Sequence, residues 1–353
     1  MALFRRGLLL GLAVFFLVFP AVVTAAAKKP MTLAELALYQ GADRQQILEE
    51  GAKKEGKLTF YTTGILTQSV RPVVDAFQKK YPYIKVEVWR AETGNLLSRV
   101  LEEYKSSTRI AGVIEATQGG EIVLEERGLL QPYYSPNLAG TEDEAIRNAP
   151  GGGAFSAGHY RSGQSLGFNT KLVAKDQVPK TYQDLLDPKW KGKMAIPGSN
   201  TGVGWMGGIL VHLGEDFVKK LVEQNIVVHM VSGRAMLDMV INGEYAFSPS
   251  VSDAHVATSK RKGAPIDWVP LEPVLTHLAQ IMIPKESPTP HAALLFVDFD
   301  LSREAGELYK ASGYDSPRKD IVTPRAYKRY YGPTSLKQEF QWKELFGKLF
   351  LKK

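Results

Sequence analysis

Segments typical of strands and helices alternate early in the chain, and this alternation constrains the fold more than any other feature. Residues 58–61 predict a strand, and residues 70–81 then carry apolar side chains at helical spacing. Residues 86–88 and 111–115 predict two further strands, and each is followed by a helical pattern. Strands and helices that alternate at this spacing predict an α/β fold built on a mostly parallel sheet with helices on both faces.

Polar turns follow the predicted strands, at the edge of such a sheet where ligands usually bind. The first turn contains Thr62 and Thr63, and the turn after the third strand contains Gln118. Hydroxyl and amide groups there can hydrogen-bond a ligand, so these three residues are candidate binding residues. Small polar residues are also common in ordinary turns, and that alternative stays open.

The N-terminus has the pattern of a secretory signal peptide. Arg5 and Arg6 precede an apolar stretch over residues 8–19, and small residues follow, with cleavage expected near Ala25 to Ala27. The apolar stretch is too short to span a membrane comfortably. The chain has no cysteine, which excludes a lipid anchor on a cysteine, disulfides and thiolate metal sites. We therefore expect a signal peptide over residues 1–27 and a mature protein that is free in the periplasm.

Charge and motif content argue against nucleic-acid binding and catalysis. The formal charge of +7 is scattered along the chain, with no basic helix that carries interleaved stacking aromatics. The six histidines are well separated, and the sequence has no phosphate-binding Walker loop and no Gly-x-Ser-x-Gly motif. We expect no nucleic-acid partner, no cofactor and no catalytic site, although an exported enzyme of similar fold remains an alternative.

Residues 180–201, KTYQDLLDPKWKGKMAIPGSNT, form the most specific motif of the chain. Pro188 ends a short helical turn, residues 193–196 predict a strand, and Ser199, Asn200 and Thr201 can cap the apolar helix that follows. This motif closely resembles the helix, Asp-Pro-Lys-Trp-Lys-Gly-Lys, strand and polar-loop element of bacterial extracellular solute-binding proteins of ABC importers. The resemblance is to the branch that includes ferric-ion and phosphonate binders, and it covers about residues 57–324.

The resemblance implies a two-lobe periplasmic binding protein fold of type II. Each lobe would be a mostly parallel sheet flanked by helices, with a hinge between the lobes. It implies a first lobe over residues 28–152 and 271–320 and a second lobe over residues 153–270, with the C-terminal helical segment 321–353 unassigned. Such a protein is expected to be a monomer that closes over a small polar, anionic organic ligand and presents it to a membrane permease. Presentation to a membrane sensor is an alternative.

The candidate residues of the second lobe follow from the same resemblance and from anion chemistry. The resemblance implies that Tyr160 and Arg161 lie in the cleft, where a guanidinium can bridge two oxygens of an anion. The backbone amides and side chains of Ser199, Asn200 and Thr201 would bind the anion at a helix N-terminus. Asp253 would accept a hydrogen bond from an amine of the ligand. A solvated hinge loop and plain helix caps are the alternatives.

Iron is the best-known ligand of this family, and here the sequence departs from the ferric pattern. Ferric binders place adjacent tyrosines shortly after a Gly-Glu and strand element, where this chain has residues 243–255 without such a pair. Neutral hydroxyls and amides are poor ligands for Fe(III). Asp253 and His255 remain an alternative metal site.

Overall fold

The computed structural model describes residues 32–323 and 327–351. The predicted signal peptide therefore lies outside the described residues. The strands are β1 Lys57–Thr62, β2 Lys85–Arg90, β3 Val113–Thr117, β4 Leu130–Gln131, β5 Ile146–Asn148, β6 Ala154–Asn169, β7 Ala195–Pro197, β8 Val227–His229, β9 Phe247–Ser252, β10 Ile266–Val269, β11 Val274–Pro284 and β12 Arg329–Tyr331. The α-helices are α1 Leu33–Leu38, α2 Arg44–Glu55, α3 Arg71–Lys80, α4 Thr93–Lys105, α5 Gln118–Glu126, α6 Asn200–Leu213, α7 Glu215–Glu223, α8 Gly233–Asn242, α9 Asp253–Arg261, α10 Pro290–Asp300, α11 Arg303–Ala311 and α12 Leu336–Phe346.

The first three strands form the parallel unit that the sequence predicts. β1 pairs in parallel with β2 on one side and with β3 on the other, so the carboxyl ends of all three lie at one edge. Proline in the first turn of α3 suits a helix start, and the helix buries Val73, Val74 and Phe77 against this sheet. The turns that follow the strands, including Thr63 and Gln118, consequently lie at the same edge of the sheet.

Two long antiparallel strands, β6 and β11, cross between the two halves of the molecule. They pair from Ala157 with Ile281 to Gln164 with Leu275, and nearly every residue of β6 is buried. β11 continues to β3, whereas β6 continues to β9 and β10. The sheet is therefore mixed, parallel at the first half and antiparallel where the crossing strands join it.

Separate hydrophobic cores pack on either side of these strands. The core that we call the first-lobe core contains Phe60, Phe77 and Phe296. The ring centroid of Phe296 lies 4.9 Å from that of Phe60 and 5.0 Å from that of Phe77. The second-lobe core contains Trp190 and Phe247, whose rings meet edge to face at 5.0 Å. The Asp-Pro-Lys-Trp motif thus contributes an anchor to the second-lobe core, since Trp190 is buried there.

The C-terminal segment contacts both halves. β12 pairs with β11, and α12 then buries Trp342 and Phe346 in the second-lobe core. At the other end of α12, the Leu336 amide donates to Glu126 Oε1 of α5 at 3.2 Å. α12 therefore connects the two halves on one side. In the described part of the chain, no helix combines the length and apolarity needed to cross a membrane.

Candidate functional site

A cavity lies between the two lobes, and the first turns of four helices line it. Thr93 of α4 and the Gln118–Gly119 pair of α5 line one wall, whereas Asn200–Thr201 of α6 and Ser232–Gly233 of α8 line the opposite wall. The first backbone N–H groups of a helix have no partner within the helix, and the helix dipole places partial positive charge there. Four helix starts that face one cavity create a favourable site for an anion.

The four helix starts differ in how their own residues cap them. Thr117 Oγ1 accepts from the Gly120 amide at 3.3 Å in α5, and Ser232 Oγ accepts from the Ala235 amide at 3.2 Å in α8. By contrast, neither Glu92 at the start of α4 nor Ser199 at the start of α6 caps its helix with a side chain. The uncapped amides of α4 and α6 leave donors for a ligand at opposite walls of the cavity.

The crossing strands form the floor of the cavity. Tyr160, Ser162 and Gln164 alternate along β6 and line the cavity, and Thr276 of β11 lines it too. Gln164 and Thr276 are only 6% and 3% exposed, yet Gln164 Oε1 and Thr276 Oγ1 have no hydrogen-bond partner within the described residues. Buried polar atoms are rarely left unpaired, so these atoms mark positions that a ligand or water can satisfy.

The charged side chains of the cavity are paired with neighbours. Arg90 lies 2.5 Å from Glu92, and Arg234 lies 2.5 Å from Asp238. Burial, Arg234 and His277 together lower the pKa of His255 to about 3. Burial likewise lowers the pKa of His277. Both imidazoles are therefore neutral at neutral pH, and the guanidinium of Arg234 is the cation on the second-lobe wall.

Five of the predicted binding residues line the cavity, and four do not. The first group is Thr63, Gln118, Tyr160, Asn200 and Thr201, and the second is Thr62, Arg161, Ser199 and Asp253.

Each residue of the second group is turned to another part of the structure. Thr62 is buried and donates its hydroxyl to Glu115. Asp253 accepts from the Gly163 amide at 3.1 Å and from the Tyr327 hydroxyl at 2.9 Å. Ser199 precedes α6, and its hydroxyl is buried away from any partner within the described residues.

Arg161 lies on the opposite face of β6 from the cavity. The family resemblance implies that Arg161 lies in the cleft, with a solvated hinge loop as the alternative, but residues 159–161 belong to the continuous strand β6. Successive side chains of a strand point to opposite faces, so Arg161 cannot share the cavity face with Tyr160. Its guanidinium instead bonds Glu142 at 2.5 and 2.9 Å and Asp315 at 2.7 Å. Arg161 therefore acts as a buried structural cation in this arrangement.

The two residues of the alternative metal site, Asp253 and His255, have different surroundings in the structure. Asp253 is turned toward Gly163 and Tyr327, whereas His255 lines the cavity with its Nε2 atom 3.4 Å from the Tyr314 hydroxyl. Across residues 32–323 and 327–351, no group of three or more His, Asp or Glu side chains is arranged to hold a metal ion.

Several residues that line the cavity are not among the predicted binding residues. Ser232 and Gly233 form a helix start with the same chemistry as Asn200 and Thr201, so a search for serine caps would find them. Gln164 follows from the alternation of β6 once Tyr160 is placed on the cavity face. Glu339 of α12 has no comparable local signal, because only tertiary packing brings it to the cavity.

Comparisons with known proteins agree with this architecture. A family model described as bacterial extracellular solute-binding protein matches residues 73–332. An uncharacterized protein of Haemophilus influenzae is 28% identical over 270 residues, which cover 73% of this chain and 76% of that protein.

Two solved structures share the fold. The periplasmic binding protein AfuA from Actinobacillus pleuropneumoniae, with exogenous fructose-6-phosphate bound, has a TM-score of 0.70 and 22% identity over 85% of this chain and 100% of its own. Iron-bound HitA from Pseudomonas aeruginosa has a TM-score of 0.69 and 20% identity over 82% of this chain and 99% of its own. At these identities the similarity shows the two-lobe α/β fold.

Proposed function

The chain belongs to the family of bacterial extracellular solute-binding proteins, and from this premise we propose that it binds a small polar, anionic organic ligand between its lobes. Proteins of this family bind solutes for ABC transporters and deliver them to a membrane permease. The chain accordingly acts as a solute-binding protein in transport. Its periplasmic location, cleavage near Ala25 to Ala27 and a monomeric state are parts of the same proposal.

The convergence of four helix starts on one cavity is the observation that carries the anionic ligand. Asn200, Thr201, Ser232 and Gly233 offer amides and hydroxyls from one lobe, and Arg234 adds a guanidinium beside them. His255 and His277 are neutral, so neither imidazole adds a positive charge that would attract the anion. The sugar phosphate bound to AfuA, a protein of the same fold, supports phosphorylated organic molecules as first candidates.

Hinge closure gives the cavity its affinity in this proposal. β6 and β11 connect the lobes, and we assign residues 28–152 and 271–320 to the first lobe and residues 153–270 to the second. Closing the lobes brings Thr63 and Gln118 of the first lobe toward Asn200 and Thr201 of the second. A ligand that contacts both walls stabilises the closed form, which is the form that a permease would recognise.

A thermal-shift screen followed by calorimetry tests the ligand class. The screen compares sugar phosphates, phosphonates, sulfonates and carboxylates with the corresponding neutral sugars, and it includes Fe(III) because HitA of this fold binds iron. A ligand at one hundred times its dissociation constant adds about 2.7 kcal/mol to the free energy of unfolding. Stabilisation by neutral sugars or Fe(III) alone would overturn the anionic ligand.

The variant Arg234→Gln tests the wall on which the anion is expected. Loss of a hydrogen bond to a charged group costs about 1.5–3 kcal/mol of binding free energy, so affinity for a discovered anion should fall about 10- to 100-fold. Arg303→Gln is the matched control, because Arg303 is exposed and lies on α11 away from the cavity lining. Equal affinity in Arg234→Gln and the wild type would remove Arg234 from the site.

A further inference from the structure

The carboxylate of Glu339 lies at the cavity, although the residue belongs to the C-terminal helix α12. Glu339 is only 5% exposed and lines the cavity together with Gln118 and Gly119 of α5. Gly332 and Pro333, in the segment between β12 and α12, line the same side. A buried carboxylate at a cavity that otherwise favours anions requires a reason.

Several contacts hold this carboxylate in place. Lys343, one turn later on α12, places its Nζ atom 2.8 Å from Glu339 Oε1. Trp342 and Phe346 anchor the helix in the second-lobe core, and the Leu336 amide holds its start to Glu126 of α5. Because both ends of α12 are fixed, the Glu339 side chain has a defined position relative to both lobes.

The second carboxylate oxygen of Glu339 lies against the first turn of α5. A β-carbon placed on Gly119 would lie 2.6 Å from Glu339 Oε2, so a side chain there would force the carboxylate to shift. A negative charge is stabilised at a helix N-terminus. The start of α5 is thus already served by a charge of the protein, whereas α6 and α8 on the opposite wall face no such carboxylate among the cavity-lining residues.

The two walls consequently differ in the chemistry that they offer. The first-lobe side carries the carboxylates of Glu92 and Glu339 with Arg90, and the second-lobe side carries Arg234 and the starts of α6 and α8. An ionised carboxylate only accepts hydrogen bonds and repels a ligand oxyanion. An ammonium group at that place would form a charge-assisted hydrogen bond.

We propose that Glu339 determines specificity by binding an amine of the ligand, so that the cavity selects organic anions that carry an ammonium group at the other end. This inference rests on the proposed function and adds the second charge of the ligand. The anionic group lies at the starts of α6 and α8 beside Arg234, and the ammonium group lies beside Glu339. Closure of the lobes then brings both charges of the ligand to opposite charges of the protein.

Matched ligand pairs test this specificity by calorimetry. Each pair consists of an ω-aminoalkyl phosphate and the alkyl phosphate of the same length, from two to six carbons. The wild type should bind the best amine about tenfold or more tightly than its alkyl partner, as loss of a charged hydrogen bond implies. In Glu339→Gln, which keeps the size of the side chain, this preference should fall to about twofold or less.

A second variant tests the position of the Glu339 carboxylate by changing the residue that it packs against. The new β-carbon of Gly119→Ala would displace Glu339 Oε2 and should also reduce the preference for the amine. Gly94→Ala is the matched control, because Gly94 has the same position in the first turn of α4 but a β-carbon there meets nothing within 4 Å. Its ligand preference should equal that of the wild type.

The outcomes separate this inference from the proposed function. Binding of alkyl phosphates without a preference for the amine would overturn the role of Glu339 and leave the anionic ligand intact. A preference that survives in Glu339→Gln would overturn the role of Glu339 as well. If neither series binds and the broader screen finds no anion, the proposed function fails and this inference fails with it.

Discussion

Arg161 and Asp315 are joined by three hydrogen bonds. Their backbones exchange N–H···O bonds of 2.8 and 2.9 Å, and Arg161 Nε donates to Asp315 Oδ2 at 2.7 Å. Burial alone would lower the pKa of the guanidinium, but the bonds to Glu142 and Asp315 outweigh this effect and raise the pKa. The pair ties β6 to the segment after α11, and this explains why a basic residue next to the cavity serves structure.

Arg161→Ala should therefore lower stability much more than it lowers ligand affinity. Removing the Arg161 guanidinium leaves Asp315 with Arg329 alone, whose Nη2 atom lies 2.6 Å from Asp315 Oδ2, and costs about 3 kcal/mol of unfolding free energy, measurable by urea denaturation. Arg303→Ala is the control, because its carboxylate partners lie 3.7 and 3.8 Å away at the surface and exposed pairs contribute less than about 1 kcal/mol. Unchanged stability together with a large loss of affinity would return Arg161 to the ligand site.

Acid should destabilise the protein partly through His255. The pKa of this imidazole is about 3 in the folded protein and near 6.5 when unfolded, so the unfolded state binds more protons between these values. The stability that depends on a neutral His255 is complete above about pH 6.5 and is lost as the pH falls toward 3. From pH 7.5 to pH 5 this loss amounts to about 2 kcal/mol.

The variant His255→Gln isolates this contribution, because glutamine does not titrate. The difference in unfolding free energy between the wild type and the variant, measured without ligand, should shift by about 2 kcal/mol in favour of the variant from pH 7.5 to pH 5. Measuring the difference removes the titration of other groups. A difference that stays constant across this range would contradict the low pKa.

Trp342 should be essential for the packing of α12. The indole is 4% exposed and lies so close to α6 that a β-carbon on Gly207 would approach it to 2.1 Å. Trp342→Ala should cost about 3–5 kcal/mol of unfolding free energy, as large-to-small changes in a core do. Phe340→Ala, on the exposed side of the same helix, should cost less than about 0.5 kcal/mol. Similar losses in both variants would contradict a specific packing role of Trp342, and helix propensity could not explain them because alanine favours helices more than either aromatic residue does.

Local patterns explain the parts of the fold that sequence analysis identifies. The helical spacing of Val73, Val74 and Phe77 depends only on which face of α3 is buried, and the structure buries those residues. The polar loop that starts α6 likewise follows from caps and breakers within a few positions, and Asn200 and Thr201 line the cavity. Such features are encoded within one element, so a single sequence reveals them.

The remaining parts depend on pairing between distant segments. The side on which Arg161 projects is decided by the full length of β6, whereas the family resemblance alone implies a position in the cleft. Glu339 reaches Gly119 only because Trp342 anchors α12 on the other lobe. The side of Arg161 follows from strand alternation only once β6 is known to be continuous, whereas the contact of Glu339 with α5 has no periodic or spacing signal because tertiary packing alone creates it.

The position of α12 in the chain also determines when the cavity can be completed. A polypeptide is synthesised from its N-terminus to its C-terminus. The strands and helices that form the floor and both walls of the cavity are therefore made before α12. Until residues 332–339 emerge, the cavity lacks one side and the carboxylate of Glu339. A fragment that ends before α12 therefore lacks the side of the cavity that carries Glu339, although it contains the starts of α6 and α8.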